Sequence, residues 1–150
     1  MVSVSEKPST RRSATAVGSI FLGQTAFSLV VPSASSAPSK KGDVLSVAQL
    51  AGLLGAKATP SLIPLCHPIS LSHVSVVLSP NEATLSIDIV ATAECVGPTG
   101  VEMEALMAVS TSALTVWDMC KSAGGKEMSV GGIKVVRKAG GRSGDWVRNA

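Results

Sequence analysis

Tyrosine is absent from this 150-residue chain, and its aromatic residues are Phe21, Phe27, Trp117 and Trp146, 3% of the total. A surface that reads bases by stacking needs exposed rings, so a base-stacking platform is excluded. Charged residues are 15% and the net charge is +3, too small an excess for a dedicated nucleic-acid binder. With 45% hydrophobic residues and a mean hydropathy of +0.39, disorder is excluded as well. The core must be built from Val, Leu, Ile, Ala and Met. Scarce charge on such a chain also implies apolar surface covered by another subunit. Three cysteines, Cys66, Cys95 and Cys120, form no CxxC pair, which argues against a disulfide framework and favours a reducing, intracellular compartment. There is no internal repeat and no hydrophobic run long enough to span a bilayer, so no membrane partner is expected.

The uncharged stretch from Ser13 to Ser39, preceded by Arg11 and Arg12, imitates a twin-arginine export signal. Glu6 in the would-be positive region and Gly23-Gln24 inside the apolar run argue against that. Alternation instead places Arg12, Ala14, Ala16, Gly18, Ile20 and Leu22 on one face of a strand. A short helix from Gln24 to Val31 and a flexible loop near 32–40 follow. Asp43 is placed to cap a helix with Val44, Val47, Leu50, Ala51, Leu54 and Ala58 on its apolar face. Pro60, Pro64 and Pro68 are expected to end regular structure. Strands at Val74 to Leu78 and Thr84 to Ala93 make a hairpin through Ser79-Pro80-Asn81-Glu82. A long helix, Val101 to Ser122, lines one face with Met103, Leu106, Met107, Ser110, Leu114 and Trp117 and stops at Gly124-Gly125. A strand from Ile133 to Lys138 precedes a Gly-rich basic tail, 139–150. The order β-α-β-β-α-β predicts one α+β domain over 1–150 with the ferredoxin-like layout, an antiparallel sheet with helices packed on one face.

Asp118 and Lys121 stand three apart on the long helix, as either a surface ion pair or an acid/base pair with reduced solvation. Glu102 and Glu104, in the first turn, either complement the helix dipole or present carboxylates at the mouth of a site. At 1.5 Å per residue the helix from Glu104 to Asp118 is about 21 Å long, so one small substrate cannot touch both in a single chain. Cys66-His67-Pro68, with His73 and Cys95, invites a metal reading. No pair has the spacing of a zinc knuckle, and no metal is expected. His67 suits an anion better, and Lys40-Lys41-Gly42-Asp43, Lys138 and Arg142 have the character of a phosphate cradle.

Taken in order, Lys41-Gly42-Asp43-Val44, Ile63-Pro64-Leu65-Cys66-His67-Pro68, Thr99-Gly100-Val101-Glu102-Met103-Glu104-Ala105-Leu106, Asp118-Met119-Cys120-Lys121 and Gly140-Gly141-Arg142-Ser143-Gly144-Asp145-Trp146 resemble the molybdenum cofactor biosynthesis protein C family, the cyclic pyranopterin monophosphate synthases. The start, Met1 to Gly18, is similar too, with Ser3 where the family usually has Asp. Arg142 and Trp146 stand for its usual Lys and Phe, and the family's pattern ordinarily begins further upstream. The resemblance places the arginines inside the domain and disposes of the export signal. It implies conversion of 3′,8-cyclo-7,8-dihydro-GTP to cyclic pyranopterin monophosphate and diphosphate, with no redox cofactor. Asp118, Lys121 and Lys41 would be catalytic. Arg12, Cys66, His67, Glu102, Met103, Glu104 and Lys138 would bind substrate, the cations and His67 at the phosphates and the two glutamates at the base. It further implies a homohexamer, a trimer of dimers with sites at subunit interfaces, in the bacterial cytoplasm or the mitochondrial matrix. The rival is a non-catalytic ferredoxin-like domain that binds anions or nucleic acid and has no use for the acidic residues.

Overall fold

A computed structural model describes residues 1–31, 41–141 and 144–149. The loop expected near 32–40, Lys40 and Arg142 lie outside these. The chain runs β1 (Thr10–Phe21), α1 (Gly23–Val30), α2 (Val44–Leu62), β2 (Leu71–Asn81), β3 (Ser86–Gly97), α3 (Glu102–Gly124), β4 (Ser129–Ala139) and β5 (Trp146–Val147). The sheet order is β2-β3-β1-β4-β5 with every pair antiparallel. This is the expected ferredoxin-like α+β arrangement, with α1 and the short edge strand β5 added to its core. β5 was hidden in the sequence by the glycines around it.

The alternation expected of β1 is the one observed: Arg12, Ala14, Ala16, Gly18 and Ile20 are all buried, and Leu22 just beyond is too. They meet Ile87, Ile89, Ala91, Ala93 and Cys95 of β3 on the helix-covered side of the sheet. Asp43 caps α2 by accepting from the Ser46 amide at 3.1 Å and from its hydroxyl at 2.6 Å. Those bonds hold its carboxyl below the usual carboxylate range.

The apolar faces of both long helices are rotated from those expected, although Val44 is buried as expected and Leu106 and Trp117 still pack against the core. α2 buries Val44, Ala48, Gly52, Gly55, Ala56 and Thr59, leaving Val47, Leu50 and Leu54 exposed. α3 buries Ala105, Ala108, Val109, Ser112, Ala113 and Val116, with Leu114 exposed and Met103, Leu106, Met107, Ser110 and Trp117 part-buried. Close approach is the reason. A Cβ on Gly52 would strike the Ser112 hydroxyl, and one on Gly55 would reach 3.0 Å from the Met107 carbonyl. The Ser112 hydroxyl donates to the Ala48 carbonyl across this seam at 2.9 Å. Small residues therefore line this seam, and Val47, Leu50, Leu54 and Leu114 are turned outward.

Two boundaries also differ from expectation. α2 runs through Pro60 to Leu62, because a proline in the last turn forfeits one helical bond while the Ile63 amide still reaches the Thr59 carbonyl at 2.9 Å. The hairpin turn lies at 82–85, with Leu85 at φ 52, and Pro80 sits within β2. As an edge strand β2 has no neighbour on one side to need the missing amide.

Candidate active site

Functional side chains gather at the two ends of α3. Near its C-terminal end, Asp118 takes two cations: Lys41 Nζ at 2.9 Å and Lys121 Nζ at 2.6 Å. Lys41 also donates to the Asp118 carbonyl at 2.8 Å. Gly42, at φ +89, gives the backbone the left-handed turn from Lys41 into the capped start of α2. The hydrogen bond from Lys121, then the one from Lys41 and the charges of both, pull the Asp118 carboxyl down to about 2. The group is open to solvent: Lys121 is 57% exposed, so the chain alone does not supply the reduced solvation expected of it. Beside Lys121 an open cavity of about 600 Å³ is walled by Thr25, Trp117, Lys126 and Glu127.

At the N-terminal end a larger cavity, about 780 Å³, is bounded by Lys7, Arg12, Thr99, Glu102, Lys138 and Gly140. Lys138 Nζ stands 3.6 Å from Glu102 Oε1. Arg12 is buried, its Nε donating to the Gly97 carbonyl at 2.8 Å. Segment 1–9 contributes a wall through Glu6, Lys7 and Pro8, residues to which the sequence motifs assign no site role. His67 donates from Nε2 to the Val2 carbonyl at 2.8 Å.

Cys66, part-buried in the connection after α2, has its thiol pushed up by burial and further by Glu104. Glu104 is 2% exposed. Burial pushes its carboxyl up, against a smaller effect of its own backbone amide, and Glu102 adds to the rise. Met103, between the two glutamates, is part-buried. Arg12, Glu102 and Lys138 are thus together, and Lys41, Asp118 and Lys121 are together, with the length of α3 between the groups. Among the described residues no three His, Cys, Asp or Glu side chains are grouped to hold a metal ion, and no helix is long and apolar enough to cross a membrane.

A cavity edged by Lys7, Arg12 and Lys138 at one end of a helix and two lysines on one carboxylate at the other are the arrangement of an α+β enzyme domain. The model of the MoaC family matches residues 1–141, and the chain belongs to that family, whose enzymes act in molybdenum cofactor biosynthesis. It is 50% identical over 148 residues to an Arabidopsis thaliana protein named "Cyclic pyranopterin monophosphate synthase, mitochondrial". That match covers 99% of the chain and 53% of the relative, so the chain spans about half the length of that protein. Relatives named cyclic pyranopterin monophosphate synthase from Chloroflexus aggregans and Magnetococcus marinus are 49% and 47% identical. The first match covers 99% of the chain and 87% of the relative, the second 100% and 89%.

Proposed function

We propose that the chain converts 3′,8-cyclo-7,8-dihydro-GTP to cyclic pyranopterin monophosphate and diphosphate, at a site that takes the N-terminal end of α3 from one subunit and the C-terminal end from another. The observation that carries this reading is the Lys41–Asp118–Lys121 cluster, two ammonium groups within 3 Å of one carboxylate. An ion pair for stability alone needs one lysine. A second ammonium group on the same carboxylate suits a site that handles the protons and the phosphates of one substrate.

The conversion opens the five-membered ring of the purine, closes a pterin and forms a cyclic phosphate with loss of diphosphate, and each of these steps requires proton transfers beside the triphosphate. Lys121 gives and takes those protons, with Lys41 as the second ammonium group. Asp118, held near 2, stays ionised at neutral pH and positions the pair; it carries no proton itself. Lys138, Arg12, Lys41 and His67 take the phosphates and the charge of the leaving diphosphate. Glu102 faces the base portion from the cavity rim, with Cys66 and Met103 completing its surroundings.

Sharing between subunits follows from length. The helix from Glu104 to Asp118 is about 21 Å long, yet its ends turn only about 40° relative to each other, so both lie on similar faces. Two copies packed antiparallel bring the unlike ends together in equivalent pairs. The exposed Leu50, Leu54 and Leu114, with Val77 and Val90 on the uncovered side of the sheet, support coverage by further subunits, in a hexamer of three dimers. A reducing compartment, cytoplasm or mitochondrial matrix, accords with three free cysteines. The test is incubation of purified protein with the cyclised nucleotide. Stoichiometric diphosphate and pterin are the expected products; salt-sensitive RNA binding without turnover would favour the non-catalytic rival.

A further inference from the structure

Just past the end of β4, Ala139, Gly140 and Gly141 line the larger cavity beside Lys138, Thr10 and Arg12. Gly140 stands at φ +81, in the left-handed region, and a Cβ there would strike the Arg11 carbonyl of β1. A residue turned out of the strand conformation leaves the ladder, so its amide and carbonyl need other partners. Both find one in a side chain. The Thr10 hydroxyl donates to the Gly140 carbonyl at 2.8 Å, and Asp145 Oδ1 accepts from the Gly140 amide at 3.0 Å. β5 is what returns Asp145 to this point. Trp146 pairs with Lys138 and Val147 with Arg137, and the Arg148 amide donates to the Val136 carbonyl at 2.8 Å. The Arg148 side chain donates from Nε to the Val135 carbonyl at 3.0 Å and lies over the Trp146 ring. Asp145 itself is exposed and forms no part of the cavity's lining.

We propose that Asp145 is a positioning residue for phosphate binding. Its carboxylate holds the Gly140 amide while Thr10 holds the carbonyl, which fixes the wall 138–141 against β1 and keeps the Lys138 ammonium at the cavity, beside Glu102. A charged acceptor makes this a stronger tie than a neutral one would. The residue touches no reacting atom. The proposal rests on the proposed reaction only for its kinetic readout.

Asp145→Ala removes the acceptor, whereas Asp145→Asn keeps an oxygen for the amide. Amide exchange followed by NMR on glycine-labelled protein reads the clamp directly: Gly140 should exchange at least about tenfold faster in Asp145→Ala and within about threefold of wild type in Asp145→Asn. Affinity for inorganic triphosphate should fall about tenfold in Asp145→Ala and less than about threefold in Asp145→Asn. With Lys138 already replaced by Ala, Asp145→Ala should cost less than about threefold more, because both changes remove one contact. With the cyclised nucleotide as substrate, the loss in Asp145→Ala should fall on KM, with kcat within about threefold of wild type. Unchanged Gly140 exchange in Asp145→Ala, equal losses from Asn and Ala, or additive losses with Lys138→Ala would each overturn the proposal. If exchange and triphosphate affinity respond as expected and the wild type turns over no nucleotide, the clamp stands and it is the proposed reaction that fails.

Discussion

α3 carries carboxylates at both ends, and the two ends treat them in opposite ways. Asp118 stands in solvent with an ammonium group on either side, which pulls it down to about 2. Glu104 lies inside the first turn of the helix, where burial pushes it up and one oxygen has no partner. The chemical group is nearly the same; its surroundings decide whether its charge is favoured or opposed. The difference bears on the proposal that the two ends complete one site across subunits. One end has Arg12 and Lys138 around the larger cavity, and the other has Lys41 and Lys121 open to water.

Breaking the exposed end should have the largest effect. Lys121→Ala is expected to lower turnover about a thousandfold, the scale of a lost acid/base group, with little change in melting temperature because an exposed lysine contributes little to stability. Activity within tenfold of wild type would remove Lys121 from the chemistry. Asp118→Asn comes next, at about a hundredfold, since two ammonium groups lose the charge between them. Here pH sharpens the contrast. Asp118 is depressed in the folded state, so its contribution to stability is complete above its ordinary value of 3.8 and is lost as pH falls toward about 2. Melting curves of wild type and Asp118→Asn should accordingly converge across that window. An acid limb of kcat in the wild type at pH 5 to 6 would have to arise from another group.

Loss of a single phosphate contact at the cavity end has a smaller effect, and it falls on binding. Lys138→Ala should weaken binding of a triphosphate ligand by about tenfold, the scale of one charge-assisted contact, while barely altering binding of the dephosphorylated analogue. Equal loss for both would place the phosphates elsewhere.

Much of this was legible in the chain. The alternation through β1, the Asp43 cap, the break at Gly97 to Gly100 and the helix stop at Gly124-Gly125 each rest on local chemistry that no distant contact overrides. The buried faces of α2 and α3 were not legible. Large apolar residues at helical spacing ordinarily mark the core, but in this fold Gly52 and Gly55 let two helices approach until small side chains fill the seam, a fact about two segments that neither carries alone. The Lys41–Asp118 contact is similarly non-local, whereas the Asp118–Lys121 pair follows from helical spacing. Nor did anything near Glu104 signal its burial. An acid in a first turn reads as a dipole partner, and its surroundings, Cys66 and Cys95, arrive from other elements.

In the proposed site the two ends of α3 meet across subunits, and subunit mixing tests that proposal most directly. Inactive Glu102→Ala and inactive Lys121→Ala proteins are combined in equal amounts under conditions of proven exchange, and product formation is measured. In a mixed dimer with shared sites, one site carries both lesions and the other neither. Random exchange then predicts recovery of about a quarter of wild-type activity. No recovery despite exchange would mean that each site is built within one chain, and would contradict a site shared between subunits.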